Sequence, residues 1–315
     1  MPNAKCTDEE FIALVREIGP QATADKLGID VRGIYRRRRY LETKNNLLIK
    51  SNGADIPIVY TCQYPSRVPI YLDNGTLMIA SDCHYWPEMI STAHRGFVKL
   101  AKILKPNVVV MNGDVLDGAG ASRHPPIGWA NTPTLKQEKE AVMDRLTEIL
   151  KATPKTCKHY WTLGNHCQRF ENKLAQNASE FRDVEGFTLA HHFPLWEMAM
   201  SLWVNDDLVI KHRFKGGVHA THNNTAAAGK SMATGHLHSL KVTPYSDYNG
   251  IRFGIDSGTL AEPYGPQFAY GEDNPLNHRS GFIVLTFKDG VLLWPEICAV
   301  VDETHVQFRG VVYEV

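Results

Sequence analysis

The sequence predicts an α/β fold, and three observations support that prediction. From residue 76 onward, short apolar runs typical of buried strands alternate with longer amphipathic segments. The chain has 315 residues, enough for one large domain or for a medium domain with a small one. Its composition is that of a globular protein, with 43% hydrophobic and 22% charged residues, and no apolar run reaches the roughly 18 residues of a membrane span.

Residues 1–44 are predicted to form a small all-α module. The first helix begins at Asp8, a residue type that caps helices, and ends at Gly19-Pro20. A short second helix covers residues 21–27, and a third covers residues 31–41.

Residues 45–75 are predicted to be a linker with one or two edge strands, because Pro, Asn-Asn and Asn-Gly punctuate them. Residues 76–315 form the predicted main domain. Helical patterns at 88–104 and 134–150 separate its first three strands, so successive strand ends are expected at one edge of a sheet. The predicted strands are Leu77–Ala80, Val108–Met111, Tyr160–Leu163, Leu208–Ile210 and Phe282–Phe287.

Five short polar motifs lie at or just after strand-like runs. Asp, Asn and His at such positions are residue types that bind divalent metals. One such motif alone is usually a turn, but five in a consistent order are hard to attribute to chance. The motifs are Asp82-Cys83-His84, Gly113-Asp114, Gly164-Asn165-His166, Lys211-His212 and Gly235-His236-Leu237-His238.

The spacing within the motifs predicts how their side chains are used. Asp82 and His84 are two residues apart, so in an extended chain both face the same metal. His236 and His238 share this spacing. A lone carboxylate such as Asp114 can bridge two cations, which predicts a dinuclear site.

Asn165 and His166 are adjacent, so one can bind metal while the other faces a substrate.

The order of the five motifs resembles that of the calcineurin-like metallophosphoesterases, over residues 76 to about 290. The resemblance implies a β-sandwich of two mixed sheets flanked by helices, with two divalent metals. It assigns Asp82, His84 and His238 to one metal, Asn165, His212 and His236 to the other, Asp114 to the bridge between them, and His166 to the position beside the phosphate.

Two positions depart from the family pattern. Cys167 stands where the family often has an acidic residue, which removes a carboxylate expected beside His166. The fourth motif reads His212-Arg213 instead of His-Gly, and His219 is a rival ligand in the following loop. His212 is favoured because it closely follows the strand Leu208–Ile210.

The ligand set also predicts the chemistry. Oxygen and imidazole ligands without thiolate favour Mn²⁺, with Fe, Zn or Mg as alternatives. Two such ions lower the pKa of a shared water, and the resulting bridging hydroxide attacks phosphorus in line with the leaving oxygen. His166 is the predicted catalytic residue, which stabilises the phosphoryl oxygens or protonates the leaving group.

Further side chains are predicted to surround the metals. Asp117 follows Asp114 by three residues and is expected to orient a ligand. Arg169 and the pair Arg123-His124 are expected to reach a phosphate, with solvated loop positions as the alternative. If His219 is not a ligand, it lines the loop beside the site.

Charge is distributed unevenly along a chain whose net charge is zero. Residues 1–50 contain ten Lys and Arg against seven Asp and Glu. Residues 21–36 resemble a helix-turn-helix, whose second helix can enter the major groove of DNA. The alternative is a small helical cap with a solvated basic face. The arginines expected to contact DNA, mainly at phosphates, are Arg32, Arg36, Arg37, Arg38 and Arg39.

We therefore expect a dinuclear-metal phosphodiesterase acting on DNA, a nuclease that resembles the repair-exonuclease branch of the family. The alternatives are a phosphatase or phosphodiesterase for small nucleotides, and a DNA-binding regulator with a structural metal domain. Six scattered cysteines without a Cys-x-x-Cys pair favour a reducing cytoplasm, and no membrane partner is expected. A helix-turn-helix fused to such an enzyme is associated with bacteria and phages.

Overall fold

The structure is a computed structural model that describes residues 5–47, 49, 63–124, 132–182, 184–205 and 207–315. The chain divides into two compact units, Met1–Gln63 and Tyr64–Val315. The sequence-based boundaries lie at 44/45 and 75/76. Most of the predicted linker, residues 48 and 50–62, lies outside the described residues.

The first unit contains the helices α1 (Asp8–Leu27) and α2 (Val31–Asn45). The backbone of α1 leaves helical geometry at Gly19, where φ is 82°, so the predicted break at Gly19-Pro20 is present as a kink. Gly28 adopts the left-handed conformation at the end of α1, which turns the chain toward α2. The helix α2 corresponds to the predicted third helix. It runs four residues beyond the predicted end at 41, because no breaker precedes Asn46.

A small apolar core holds the first unit together. The N-cap of α1 is Thr7 and not the predicted Asp8, because the Thr7 hydroxyl accepts a hydrogen bond from the amide of Glu10 and the Glu10 carboxylate accepts one from the amide of Thr7. The kink at Gly19 lets both halves of α1 contact α2. The buried side chains of this core are Phe11, Val15, Ala24, Ile34, Leu41 and Ile49.

The second unit is a sandwich of two mixed sheets flanked by helices. Its described strands are β1 (Val68–Ile70), β2 (Gly75–Ala80), β3 (Val108–Asn112), β4 (Lys158–Thr162), β5 (Glu197–Ala199), β6 (Leu202–Val204), β7 (Leu208–Ile210), β8 (Ser231–Thr234), β9 (Lys241–Asp247), β10 (Gly250–Asp256), β11 (Gly281–Lys288), β12 (Val291–Leu292), β13 (Glu296–Val300), β14 (His305–Phe308) and β15 (Val311–Glu314). Its described helices are α3 (Thr92–Leu104), α4 (Leu135–Ala152), α5 (Arg169–Asn177), α6 (Leu189–His192) and α7 (Ala220–Ala228), with short 3₁₀ turns at Ala119–Ala121, Ser179–Phe181 and Pro266–Gly271.

The strands form a six-stranded sheet in the order β1-β6-β7-β8-β10-β9 and a nine-stranded sheet in the order β15-β14-β13-β11-β2-β3-β4-β5, in which β12 pairs with β11. Apolar side chains from both sheets meet in one buried cluster, including Leu77, Val110, Leu208 and Ile255. The predicted sandwich of two mixed sheets is therefore confirmed. Among the described helices, none combines the length and apolar character that a membrane crossing requires.

Most of the elements predicted from sequence are present with shifted ends. The predicted strand Tyr160–Leu163 begins two residues earlier, at Lys158. The helix predicted over 88–104 begins only at Thr92, because the hydroxyl of Ser91 caps it by accepting the His94 amide.

Parallel pairing sets where the strands of both sheets end. In the nine-stranded sheet β2, β3 and β4 run parallel, and Ala80 pairs with Met111 while Asn112 pairs with Thr162. In the six-stranded sheet β7 and β8 run parallel, with Ile210 opposite Ala233. The predicted order of strands and crossover helices is therefore present, and the loops that follow these strands meet at one edge of the sandwich.

Candidate metal centre

The predicted ligands lie on the loops that follow these parallel strands. The prediction that Asp82–His84 and His236–His238 are in extended chain is wrong, because all four residues have a positive φ, of 49°, 39°, 72° and 55° in that order. Asp114 also has a positive φ, of 48°. From this left-handed backbone the side chains of Asp82 and His84 meet in one group of candidate ligands, whereas those of His236 and His238 lie in two different groups. Such conformations cost about 1–3 kcal/mol each and are concentrated at functional sites.

Backbone amides fix both carboxylates of the site. The Asp82 carboxylate accepts a hydrogen bond from the amide of His236 at 2.8 Å, and the Asp114 carboxylate accepts one from the amide of His166 at 2.8 Å. A Cβ atom at Gly164 would collide with the Asp114 carboxylate. Glycine in the third motif is therefore a packing requirement.

One group of buried side chains, which we call the first cluster, consists of Asp82, His84 and His238. The Nε2 atom of His238 lies 3.0 Å from Oδ1 of Asp82, and Nε2 of His84 lies 4.0 Å from the same oxygen. Two ligands about 2.1 Å from one metal at right angles are about 3 Å apart. The first cluster therefore has the spacing of a cation site.

The second cluster consists of Asp114, His212 and His236. The Nε2 atom of His212 lies 3.0 Å from Oδ2 of Asp114 and 3.9 Å from Oδ1 of Asp82, so the two clusters adjoin. His219 is exposed at the start of α7, outside both clusters. Between the two rival histidines, the fold brings His212 to the site.

Hydrogen bonds orient the histidines of both clusters. Nδ1 of His84 lies 2.8 Å from the Asp117 carboxylate, and Nδ1 of His212 lies 2.8 Å from the carbonyl oxygen of Asn112. Because these oxygens only accept, each Nδ1 carries a proton, which leaves Nε2 as the ring nitrogen that can bind a cation. Nδ1 of His238 is 3.3 Å from Nδ1 of His278, which orients this third ring.

Two buried polar atoms test whether the residues fit a pair of cations. Nε2 of His84 and Oδ1 of Asn165 have no hydrogen-bond partner among the described residues. A buried lone pair without a partner costs free energy unless a cation or water satisfies it. These two atoms, with the carboxylates and imidazoles of the two clusters, form a donor set that fits two divalent cations.

Opposite charges shift the protonation of the site. Burial alone raises the pKa of Asp82, but His238 and His212 outweigh it and lower that pKa. Burial lowers the pKa of His212, but Asp114 and Asp82 outweigh it and raise that pKa. The carboxylates are therefore ionised at neutral pH, and a cation that binds His212 displaces a proton.

Asp117 links the first cluster to the predicted catalytic histidine. Its Oδ1 atom lies 2.8 Å from Nδ1 of His84 and 3.0 Å from Nδ1 of His166. Arg169 donates to the Asp117 carbonyl oxygen at 3.0 Å and to Nε2 of His166 at 3.1 Å. A carboxylate therefore orients His166 although Cys167 occupies the position where the family often has one.

A cavity of about 680 Å³ adjoins His166. Asp117, Arg169 and His124 line it, so these three predicted residues lie together. Arg123 is exposed and outside this lining. The other described residues that line it are Trp86, Ala119, Gly120, Ser122, Thr132, Pro266, Gln267, Ala269 and Tyr270.

Two residues beside the site were missed by the sequence analysis. Glu138 in α4 accepts hydrogen bonds from the amides of Gly118 at 2.6 Å and Ala119 at 3.0 Å, and so holds the loop that carries Asp117. His278 packs at 4.2 Å, ring centroid to ring centroid, against His238. Neither lies in a recognisable motif, and only the three-dimensional packing reveals them.

In the first unit, the five arginines of α2 fall into two groups. Arg37 pairs with Asp8 at 2.8 Å, and Arg38 pairs with Glu42 at 3.0 Å, so both are engaged within the unit. The remaining three are exposed at i, i+4 and i+7, on one helix face. These three are Arg32, Arg36 and Arg39.

Comparison with known proteins identifies the family. The model of the calcineurin-like phosphoesterase family matches residues 75–250, more than half of the chain, and this span contains all the predicted ligands. A search of curated proteins finds no significant match.

Similar solved structures include zinc-bound Vps29 from Entamoeba histolytica, with 13% identity, 76% of this chain and 98% of that chain covered, and a TM-score of 0.39. They also include the nuclease MPE from Pseudomonas putida, with 15% identity, coverage of 70% and 86%, and a TM-score of 0.31. A third is a dimetal phosphatase from Danio rerio, with 11% identity, coverage of 69% and 93%, and a TM-score of 0.33. From the match of the family model, the chain belongs to the calcineurin-like phosphoesterase family.

Proposed function

We propose that this chain is a two-metal phosphodiesterase whose substrate is DNA. The observation that carries the hydrolase part is that the first and second clusters adjoin in one site, where Nε2 of His212 lies 3.9 Å from Oδ1 of Asp82. Asp114, in the second cluster, is the proposed bridge between the two cations. When bound there, two divalent cations supply an activated water near neutral pH and stabilise charge on the phosphoryl oxygens.

Mn²⁺ is the proposed metal, with Fe, Zn and Mg as alternatives. Carboxylate oxygens, the amide oxygen of Asn165 and imidazole nitrogens make up the donor set, which suits ions that do not require sulfur. Two thiols are next to ligands in sequence, but burial raises the pKa of Cys167 to about 12 and raises that of Cys83 well above its usual range. Neither thiol belongs to the first or the second cluster, which favours a site without thiolate.

His166 acts on the reacting phosphate from the side of the cavity. The Asp117 carboxylate accepts the Nδ1 proton of His166 and so orients the ring. Nε2 accepts a hydrogen bond from Arg169; when a substrate phosphate takes over the guanidinium, Nε2 can carry a proton to the leaving oxygen. Arg169, whose guanidinium contacts Nε2 of His166, adds positive charge where the phosphoryl oxygens develop negative charge.

Support for DNA as the substrate comes from the exposed arginine row of α2, which consists of Arg32, Arg36 and Arg39. A row of arginines along one helix face matches the phosphates that border a DNA groove. Arg37 and Arg38 have ion-pair partners within the unit, so the proposal now rests on three arginines and not on five.

A second candidate is a phosphodiesterase for small nucleotides, and the cavity beside His166 favours it. The aromatic side chains of Trp86 and Tyr270, together with Arg169, line this cavity, which suits a base and a phosphate of one nucleotide. This candidate needs no polymer contact beyond the cavity.

A substrate panel separates the two candidates. The manganese-loaded chain is given labelled single- and double-stranded DNA, p-nitrophenyl phosphate and bis(p-nitrophenyl) phosphate. The proposal expects cleavage of DNA and of the bis-ester. Cleavage of the small esters with intact DNA at every salt concentration would contradict the nuclease and favour the nucleotide enzyme.

The arginine row is tested in the full chain by a matched pair of variants. Arg36→Gln/Arg39→Gln removes two charges from the row, and Arg16→Gln/Lys26→Gln removes two exposed charges from α1. Only the first pair is expected to weaken binding of duplex DNA, by about 5- to 20-fold at low salt. Equal binding by both variants would refute a DNA-binding role of the row.

A further inference from the structure

A basic surface surrounds Trp203 on the six-stranded sheet of the second unit. Trp203 lies in β6, opposite Pro69 of β1 and Val209 of β7. Its neighbours Leu202 and Val204 are buried in the sandwich core, so the half-buried indole faces the outside of the sheet. We call this region the Trp203 surface, and its basic residues are Arg67, Lys211, Arg213 and Lys230.

Aromatic rings hold three of these cations in place. The guanidinium carbon of Arg67 lies 4.5 Å from the centroid of the Trp203 ring, and Nζ of Lys230 lies 5.6 Å from the same ring. Nζ of Lys211 lies 5.3 Å from the ring centroid of Phe214. A cation–π contact attracts a cation without neutralising it, so the charges of Arg67 and Lys211 remain able to bind an anion.

The cations of this surface also repel one another. Lys211 follows Val209, the partner of Trp203 in the sheet, by two residues and so lies on the same face, and Arg67 lies over the Trp203 ring. None of the ion pairs between described residues includes Arg67, Lys211 or Arg213. An anion bound between them would relieve this repulsion.

The Trp203 surface is continuous with the candidate metal centre. Lys211 and Arg213 flank His212 in sequence, and Nε2 of His212 lies 3.0 Å from the Asp114 carboxylate. Consecutive Cα atoms are about 3.8 Å apart, so the backbones of Lys211 and Arg213 directly adjoin the second cluster. A ligand that occupies both places must carry several negative charges along its length.

We propose that the Trp203 surface binds the sugar-phosphate backbone of the DNA strand whose scissile phosphodiester lies at the metal centre. This inference rests on the proposed function and adds a substrate contact within the catalytic unit itself. DNA carries one charge per nucleotide, so a strand that leaves the centre presents phosphates in series to Arg213, Lys211 and Arg67. A small aryl diester has a single phosphate and does not use this surface.

The test compares the wild-type full chain with two double variants that each lose two charges. Arg67→Gln/Lys211→Gln alters the Trp203 surface. Lys155→Gln/Lys158→Gln is the matched control, because both lysines are exposed at the start of β4, at the end of the parallel strands opposite to the metal centre. Binding of a fluorescein-labelled single strand about 12 nucleotides long is measured by anisotropy in EDTA, from about 50 to 200 mM salt. Turnover of the same strand and of bis(p-nitrophenyl) phosphate is measured separately with Mn²⁺.

We expect Arg67→Gln/Lys211→Gln to weaken strand binding by about 5- to 20-fold at low salt and to reduce the slope of log K against log salt by about 1.5. The KM for bis(p-nitrophenyl) phosphate stays unchanged. An unchanged slope, or an equal loss in the lysine control, overturns the inference.

Because binding is measured without cleavage, the two ideas fail separately. A chain that binds the strand through this surface but never cuts DNA keeps the inference and refutes the nuclease. A chain that cuts DNA, with the slope unaffected by the double variant, keeps the nuclease and refutes the inference.

Discussion

His166 sits between the first cluster and the cavity, where one side chain can act on a substrate without holding a metal. We expect His166→Ala to lower kcat on bis(p-nitrophenyl) phosphate by about 10²–10⁴-fold, the contribution usual for general acid catalysis. Metal content, measured by inductively coupled plasma mass spectrometry, stays at the wild-type value. The exposed His219→Ala is the control and keeps full turnover. Loss of metal in His166→Ala would instead make it a ligand.

One carboxylate oxygen of Asp117 contacts both His84 and His166, so we propose that this residue couples metal binding to catalysis. Asp117→Asn keeps the shape but removes the charge that holds both Nδ1 protons. We expect a loss of about 10- to 100-fold in turnover and in Mn²⁺ affinity. The exposed Asp144→Asn in α4 is the matched control. A change in turnover with Mn²⁺ affinity unchanged would contradict the role of Asp117 in orienting His84.

At the residue scale, the order of the motifs was enough to predict that the ligand candidates lie together, because each follows a strand whose end is fixed by the sheet. The sequence was not enough to find Glu138 or His278, which act through hydrogen bonds and packing across long sequence separations. It also misjudged the backbone of Asp82 and His84, since the spacing of two residues is compatible with extended and with left-handed turns. Positive φ at a non-glycine residue depends on surrounding contacts that no local pattern contains.

At the element scale, the strands predicted from sequence are largely buried and read as apolar runs, whereas the equally buried Ser231–Thr234 was missed because it has no such run. Two predicted examples that are buried throughout are Val108–Asn112 and Leu208–Ile210. Such a strand is recognisable in the sequence as a continuous apolar run.

The hairpin of Lys241–Asp247 and Gly250–Asp256 was missed, because its first strand lies at a sheet edge, is mostly exposed and contains a proline. Edge strands carry weak apolar signals. The edge strand Val68–Ile70 agrees with the one or two edge strands expected within residues 45–75, and the other outer strands of both sheets were not predicted.

The α4 helix supports the site through Glu138, and this gives a prediction about pH. Burial and the charge of Asp117 raise the pKa of Glu138 from 4.5 to about 7 in the folded chain. As pH rises from about 4.5 to 7, the unfolded chain loses this proton first, so the folded state becomes less stable. The side chain of Glu138→Gln does not titrate, so this variant is the reference for the pH dependence.

The measured quantity is the difference in free energy of unfolding, wild type minus Glu138→Gln. We expect it to fall by about 1–3 kcal/mol as pH rises from about 4.5 to 7. Urea unfolding of both chains in EDTA, followed by tryptophan fluorescence at several pH values, measures the difference. A difference that stays constant or grows with pH would contradict the raised pKa.

At the scale of the whole molecule, a catalytic unit of the calcineurin-like phosphoesterase family is joined to a small helical unit with an exposed arginine row. The family followed from five motifs, because metal chemistry restricts which residues can stand at each strand end. The sequence motifs do not specify the substrate in the same way, because contacts with phosphates need only positive charge at the surface. Arg37 is an example. The sequence analysis assigned it to DNA binding, whereas in the structure it forms an ion pair with Asp8 and lies over the ring of Phe11.

The central claim is that the two clusters hold a pair of cations that together hydrolyse a phosphodiester. The most direct measurement is turnover of bis(p-nitrophenyl) phosphate by metal-free chain as Mn²⁺ is added in known equivalents, with bound metal determined in the same samples. The account predicts that turnover rises until two ions are bound per chain, as in two-metal catalysis. Full turnover at one bound ion, or turnover in EDTA without metal, would contradict it.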